Sequence, residues 1–336
     1  MGDFIARRPI WSFLIIVFAA ILLWLVFAVW PPALEASLGR KRVFLSALFN
    51  GITLGALYFL VASGFTLIFG LMRNVNLAHG SLYLMGGYIG YSIGELTGSW
   101  LVALLIAFLV VAVVGILMQV LLFRWMEGQD LRQTLVTIGL SIIFADLLLW
   151  SYGGDTFQVT TPEWLSGPVE LPFIVGLRSS GEAVMMNYPL VRIAILFGAI
   201  VVGIAMWLAL NRTRVGMLVR AGVDDRDMLS ATGVRVQLVF ITVFAFGAGL
   251  AGLAGVVGGT FQSLQPGEDI KILLSSLVVV IVGGMGSIPG AAMGALIVGL
   301  AEQFGSVYMP TYAVMLTFVI MVAVLAIRPE GLAARR

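Results

Sequence analysis

The sequence predicts an all-α membrane protein: a polytopic transmembrane helical bundle of about 8–10 spans, one pair of them cut from a single apolar block by glycine and proline. Three observations carry this prediction. Hydrophobic residues make up 60% of the 336 and charged residues 11%, with a mean hydropathy of +1.07, whereas soluble domains carry about 25% charge. Apolar runs of about 20 residues recur along the chain, the length a helix needs at about 1.5 Å per residue to cross about 30 Å of hydrocarbon. The runs are continuously apolar, whereas a barrel strand would alternate lipid-facing and lumen-facing residues over about ten positions.

The first element is an apolar stretch from Ile10 to Trp30 behind Arg7 and Arg8. Its length exceeds a signal-peptide core of about 7–15 residues, and Pro31 to Glu35 offers no small-x-small cleavage site, so it reads as a retained helix. Residues 1–44 thus form an amino-terminal helix with its linker, and 45–336 the main membrane domain. Further spans fall at Leu45 to Met72, Ala78 to Leu96, Trp100 to Phe123, Thr134 to Tyr152, Pro189 to Leu210 and Val236 to Val257. The block from Ile270 to Phe304 is too long for one span, and the run from Gly283 to Gly290 breaks it into two short helices. A last span covers Thr311 to Ile327.

Placing the amino terminus inside puts thirteen of the nineteen Arg and Lys residues on the cytoplasmic side. The Arg40-Lys41-Arg42 cluster opposes that orientation. Two connecting segments stand out. Residues 153–187 form an acidic, proline-bearing external loop with Asp155, Glu163, Glu170 and Glu182. Residues 211–235 form a cytoplasmic loop with five arginines and three aspartates.

Within that loop, Asp224, Asp225 and Asp227 begin a helical stretch and complement its positive end, Met228 and Leu229 give it a partly apolar face, and Gly233 can stop it. On these residues alone the segment from Ala221 to Gly233 is either a solvated loop or a short helix on which a soluble partner docks. Small residues recur at four-residue spacing at Gly51 and Gly55, at Gly86, Gly90 and Gly94, and at Gly247, Ala251, Gly255 and Gly259, the pattern of close helix packing in lipid. Arg73 to Gly80, with Asn76 and His79, is a polar interruption: a plain turn, or irregular backbone lining a cavity.

Asn50, Gln119, Asp146 and Glu302 fall inside spans, where a carboxylate must face a cavity, find a cation or take up a proton. Asn50, Asn76, His79, Asp146 and Glu302 are therefore the candidates for a translocation pathway. The 40 glycines suit packed membrane helices, and the absence of cysteine rules out disulfides, thiolate metal sites and a cysteine nucleophile. One histidine makes a multi-histidine metal site implausible. The formal charge of +2 and the lack of a basic tract argue against nucleic acid. No phosphate-loop, nucleophile-elbow or zinc-protease motif occurs. Any use of ATP therefore needs a separate chain.

The run from Phe49 to Tyr58, the run from Asn76 to Gly80, the loop from Ala221 to Gly233 and the run from Gly283 to Gly290 occur in an order and spacing that resemble the permeases of branched-chain amino-acid ABC importers, of the LivH type. The resemblance covers about Leu45 to Leu332. It implies a permease in the bacterial inner membrane working with a second, similar permease, two cytoplasmic ATPases that hold ATP and magnesium, and a periplasmic or extracellular solute-binding protein. It also implies that Ala221, Asp224, Asp225, Arg226, Asp227, Met228, Leu229 and Gly233 belong to the coupling loop gripped by the ATPase. Gly51, Gly55, Gly86, Gly90, Gly283, Gly284, Gly286 and Gly290 are read as helix-packing positions. The amino-terminal helix departs from the type. The alternative is a secondary transporter or facilitator that works without ATP.

Overall fold

The computed structural model describes residues 40–72, 75–126, 128–177 and 183–333, so the amino-terminal helix expected at Ile10 to Trp30 lies outside the described residues. In chain order the elements are α1 (Lys41–Met72), α2 (His79–Thr97), α3 (Trp100–Leu121), α4 (Asp130–Tyr152), β1 (Pro168–Leu177), β2 (Ala183–Pro189), α5 (Leu190–Arg212), α6 (Arg214–Asp224), α7 (Arg226–Ala231), α8 (Val236–Phe261), α9 (Glu268–Gly283), α10 (Ile288–Tyr308) and α11 (Ala313–Ile327). Among the described residues seven helices are long and apolar enough to cross a membrane: α1, α3, α4, α5, α8, α10, and α11 with the turn before it. This is a multi-pass membrane protein. The other two helices expected to span differ for physical reasons. α2 is lined with glycine and tyrosine, and its first half is buried in protein. α9 has 16 residues, about 24 Å of helix.

The chain divides into two compact units. The first comprises residues 1–49 and 167–190. Its described part holds the first turns of α1 and an antiparallel hairpin in which Pro168 faces Pro189 and Glu170 faces Asn187, with register shifts between Leu171 and Ile174 and between Ile174 and Gly176. The Phe49 ring packs on Phe173 at 5.3 Å and on Tyr188 at 5.5 Å. This hairpin adds strands to a segment whose prolines and acids read as plain loop.

The second unit, residues 50–166 and 191–336, is the helical body. α8 is its centre. A Cβ on Gly64 of α1 would strike the Gly247 carbonyl, one on Gly86 of α2 would strike Gly252, and one on Gly115 of α3 would fall 2.6 Å from the Ala248 methyl. Three helices therefore approach α8 through missing side chains, which is how contact replaces the hydrophobic drive that lipid does not supply. The loop after α4 is pinned to the α8–α9 connection, with Phe157 and Leu264 exchanging backbone hydrogen bonds of 2.9 and 2.7 Å.

α9 ends at Gly283. Gly284 (φ +101°) and Gly286 (φ +79°) take left-handed or related conformations open to glycine, and the Ser287 hydroxyl caps α10 by accepting from Gly290 N at 3.1 Å. Pro289 sits in the first turn of α10, where its missing N–H costs nothing. The two helices then pack backbone to backbone, because Gly283 meets Gly290 and Gly294 meets the Val279 carbonyl. The segment after α11 returns to this turn: Leu332 N and Ala333 N donate to the carbonyls of Val282 and Gly283, both at 3.0 Å.

Candidate functional site

α1 carries the first polar groups. Asn50 is half-buried, and its amide oxygen accepts a hydrogen bond from Arg192 Nη1 on α5. The Arg192 guanidinium also lies 5.1 Å from the centre of the Phe261 ring. Two turns further along α1, the buried Tyr58 hydroxyl donates to Glu302 Oε2 on α10 at 2.6 Å. α1 and α10 meet this closely because a Cβ on Gly51 would sit 3.0 Å from Leu300 and 3.3 Å from Gln303, and one on Gly55 would sit 2.9 Å from the Ala295 carbonyl. Asn50 and Glu302, two of the pathway candidates, thus lie on adjoining helices. Their partners Arg192 and Tyr58 carry no signal in local sequence, since the contacts span 142 and 244 residues.

Asn76 and His79 form a separate, buried turn between α1 and α2. The Asn76 side-chain oxygen accepts from Ala78 N at 3.1 Å, and its backbone carbonyl accepts from His79 N at 3.2 Å. His79 is fully buried, with Nε2 3.1 Å from the Val61 carbonyl and its ring edge-on to Phe65 at 5.3 Å. A carbonyl can only accept, so Nε2 carries the proton and the imidazole ties α2 to α1. Both residues hold the polypeptide where the helix is interrupted. Asp146 stands apart from the other candidates: it is exposed on α4 on the face that also shows Ile142, Ile143, Leu147 and Trp150. Gln119 is buried near the end of α3, and neither end of its amide has a partner.

α1, α5 and α10 line an open apolar groove of about 370 Å³. Ile52, Ala56 and Phe59 come from α1, Leu196, Ala199, Gly203 and Trp207 from α5, and Ile288, Ala292 and Leu296 from α10. Ile200 and Ile204 leave its α5 wall half open. The groove offers almost no hydrogen-bonding group, so it suits an aliphatic group and penalises a hydroxylated one.

The charged loop is more ordered than its composition suggested. Thr213 caps α6 by accepting from Gly216 N at 3.2 Å, and Ala221 lies in the last turn of that helix. Asp225 then caps the six-residue α7, its side chain accepting from Met228 N at 2.9 Å. Met228 is exposed, Leu229 is buried, and Gly233 (φ +83°) turns the chain toward α8. The backbone of Asp224 ends α6, and those of Arg226 and Asp227 open α7. Among the packing glycines, Gly90 faces Val256, while Gly94 has nothing near it. Gly284 and Gly286 shape a turn, a role beyond the packing expected of them.

Residues 47–325 match the model of a family described as branched-chain amino acid transport system / permease component. The LivH permease of the high-affinity branched-chain amino-acid transport system of Escherichia coli K12 is 30% identical over 304 residues, covering 87% of this chain and 96% of that protein. The BraD permease of Pseudomonas aeruginosa, from a system of the same description, is 28% identical over the same shares. The ribose import permease RbsC of E. coli K12 is 25% identical over 295 residues, 81% of each chain. No solved structure matches.

Proposed function

The chain belongs to this family of branched-chain amino-acid transport permeases, and on that premise we propose that it forms the translocation pathway of an ATP-driven importer for branched-chain or similarly aliphatic amino acids. The observation that carries the substrate class is the 370 Å³ groove, which is lined by aliphatic and aromatic side chains. Removing a leucine or valine side chain from water into such a lining gains about 1.5–3 kcal/mol, and each methylene about 0.8 kcal/mol. A sugar, the cargo named for the ribose permease, would lose hydrogen bonds there and gain little.

In this reading the protein sits in the inner, or plasma, membrane beside a second permease. The six-residue α7 is the coupling helix gripped by a cytoplasmic ATPase, and a solute-binding protein delivers cargo to the opposite face. ATP and magnesium belong to the two ATPase chains, and this chain hydrolyses nothing. Differential binding of the ATPases to two arrangements of the permease shifts the population between outward and inward access.

The test is uptake of labelled leucine by cells that depend on this chain, with co-purification of its partners from the native membrane. Loss of uptake on ATP depletion, together with recovery of a phosphate-loop ATPase, supports the importer. Uptake that survives ATP depletion and collapses with the ion gradient would instead establish the ATP-independent transporter.

A further inference from the structure

α9 begins deeper in the bundle than α8 ends. At the end of α8, Thr260 Oγ1 accepts from Trp100 Nε1 at 2.9 Å, and Trp100 is the first residue of the span α3. At the start of α9, Asp269 Oδ2 accepts from Ser81 Oγ at 3.2 Å, and Ser81 Oγ lies 2.9 Å from Ser141 Oγ. Ser141 has eleven residues of α4 on either side, from Asp130 to Leu140 and from Ile142 to Tyr152, so it marks the middle of that span. The chain between α8 and α9, residues 262–267, therefore folds back into the bundle, with the Leu264 side chain seated against Gly87 and Gly259.

The face that this returning segment leaves open is polar. Ser263, Gln265, Gly267 and Lys271 are exposed, while Glu268 and Asp269 are buried. The Lys271 side chain is 49% exposed, and Nζ donates one of its three N–H groups to Glu268 Oε1 at 3.1 Å. Hydrocarbon does not face non-helical backbone or an ammonium at mid-span; both occur there where they line water or lie within protein. Water satisfies the spare Lys271 donors and the polar groups of Ser263 and Gln265 without a dedicated partner.

Resting on the importer reading above, we infer that residues 263–271 form a wall of the aqueous translocation pathway and that Lys271 receives the carboxylate of the solute there. Glu268 occupies one donor of the ammonium and leaves two for the cargo. This station is separate from the apolar groove on α1, α5 and α10. The groove favours an aliphatic side chain, whereas Lys271 recognises the carboxylate that every α-amino acid carries, so a decarboxylated solute passes it unheld.

The native chain has no cysteine, so Gln265→Cys places a single thiol on this wall. In the assembled transporter in proteoliposomes, the thiol is exposed to membrane-impermeant methanethiosulfonates carrying a sulfonate or a trimethylammonium group, and labelling is followed by mass. Both reagents are expected to label it, whereas Ile142→Cys, exposed on α4 at the same depth, should react at least tenfold more slowly. Excess leucine should slow labelling of Gln265→Cys at least threefold, and isoamylamine, which lacks the carboxylate, less than 1.5-fold. Adding Lys271→Gln should reduce protection by leucine to that lower level, and Lys271→Arg should keep it; each ratio is taken within one variant, so differences in folding yield cancel. A thiol at position 265 that the reagents cannot reach, or that they label no faster than Ile142→Cys, removes the segment from the pathway and overturns the inference. Full protection by leucine in Lys271→Gln overturns it as well, as does a lack of protection at Gln265→Cys while the native chain imports leucine. A native chain that imports no leucine would instead sink the reading on which the inference rests.

Discussion

α8 and α5 are both membrane-length helices, yet they solve opposite problems. In α8, 72% of the most apolar stretch is buried and its mean hydropathy is 2.1; in α5, 17% is buried and the hydropathy is 2.7. The buried helix is the less oily one. It carries Gly247, Gly249, Gly252, Gly255, Gly258 and Gly259 against its neighbours, whereas α5 shows Phe197, Ile200, Val201 and Ile204 to its surroundings. In water, hydropathy separates inside from outside. Here residue size does, because lipid solvates leucine as well as protein does.

Exchanging the two solutions is the strongest way to break the contrast. A Cβ on Gly255 collides with the Tyr83 carbonyl, whereas one on Gly198 of α5 meets nothing within 4 Å. Gly255→Val is expected to cost at least about 3 kcal/mol and to abolish a monodisperse peak in detergent, and Gly198→Val to stay within about 0.5 kcal/mol, read as thermal unfolding midpoints. Equal midpoints would refute α8 as the packing centre.

Polar contacts should rank next. Tyr58→Phe leaves the Glu302 carboxylate without its donor inside the bundle and is expected to cost about 1–3 kcal/mol in the same unfolding assay. Asp225→Ala removes the cap of α7 and should cost that segment about 1 kcal/mol, seen as faster hydrogen exchange at Met228 and Leu229 with the spans unchanged. On the coupling reading, it should also lower solute-stimulated ATP hydrolysis. The smallest effect belongs to the exposed wall: Val201→Leu on α5 should change the midpoint by no more than about 0.5 kcal/mol.

The same contrast explains what could be read in the residues beforehand. Spans announce themselves because each carries its own apolar length, and the break between α9 and α10 because glycine and proline act locally. Small-residue spacing pointed to close packing at Gly51, Gly55 and Gly86, but not to which helix each would meet. The β1–β2 hairpin was hidden by Pro168, Pro172 and Glu170, since strand pairing depends on a partner rather than on composition. α6 was hidden within an arginine-rich loop, although Thr213 followed by Val215, Leu218, Val219 and Gly222 at helical spacing could have revealed it. Arg192 and Tyr58 could not have been chosen, because only the folded bundle brings them to Asn50 and Glu302.

The strap that Leu332 and Ala333 lay across the α9–α10 turn sets an order of events during biosynthesis. The Val282 and Gly283 carbonyls receive their partners from a segment about 50 residues downstream. At about 5–20 residues per second, the ribosome delivers that segment roughly 3–10 s after the turn itself. For that interval α9 and α10 can be in the membrane with their connection unclasped, so the hinge of this pair is the last part of the body to be fastened. A nascent chain stalled before Leu332 should therefore hold its spans but expose Gly284 and Gly286 to proteolysis, and release of the stall should close that window.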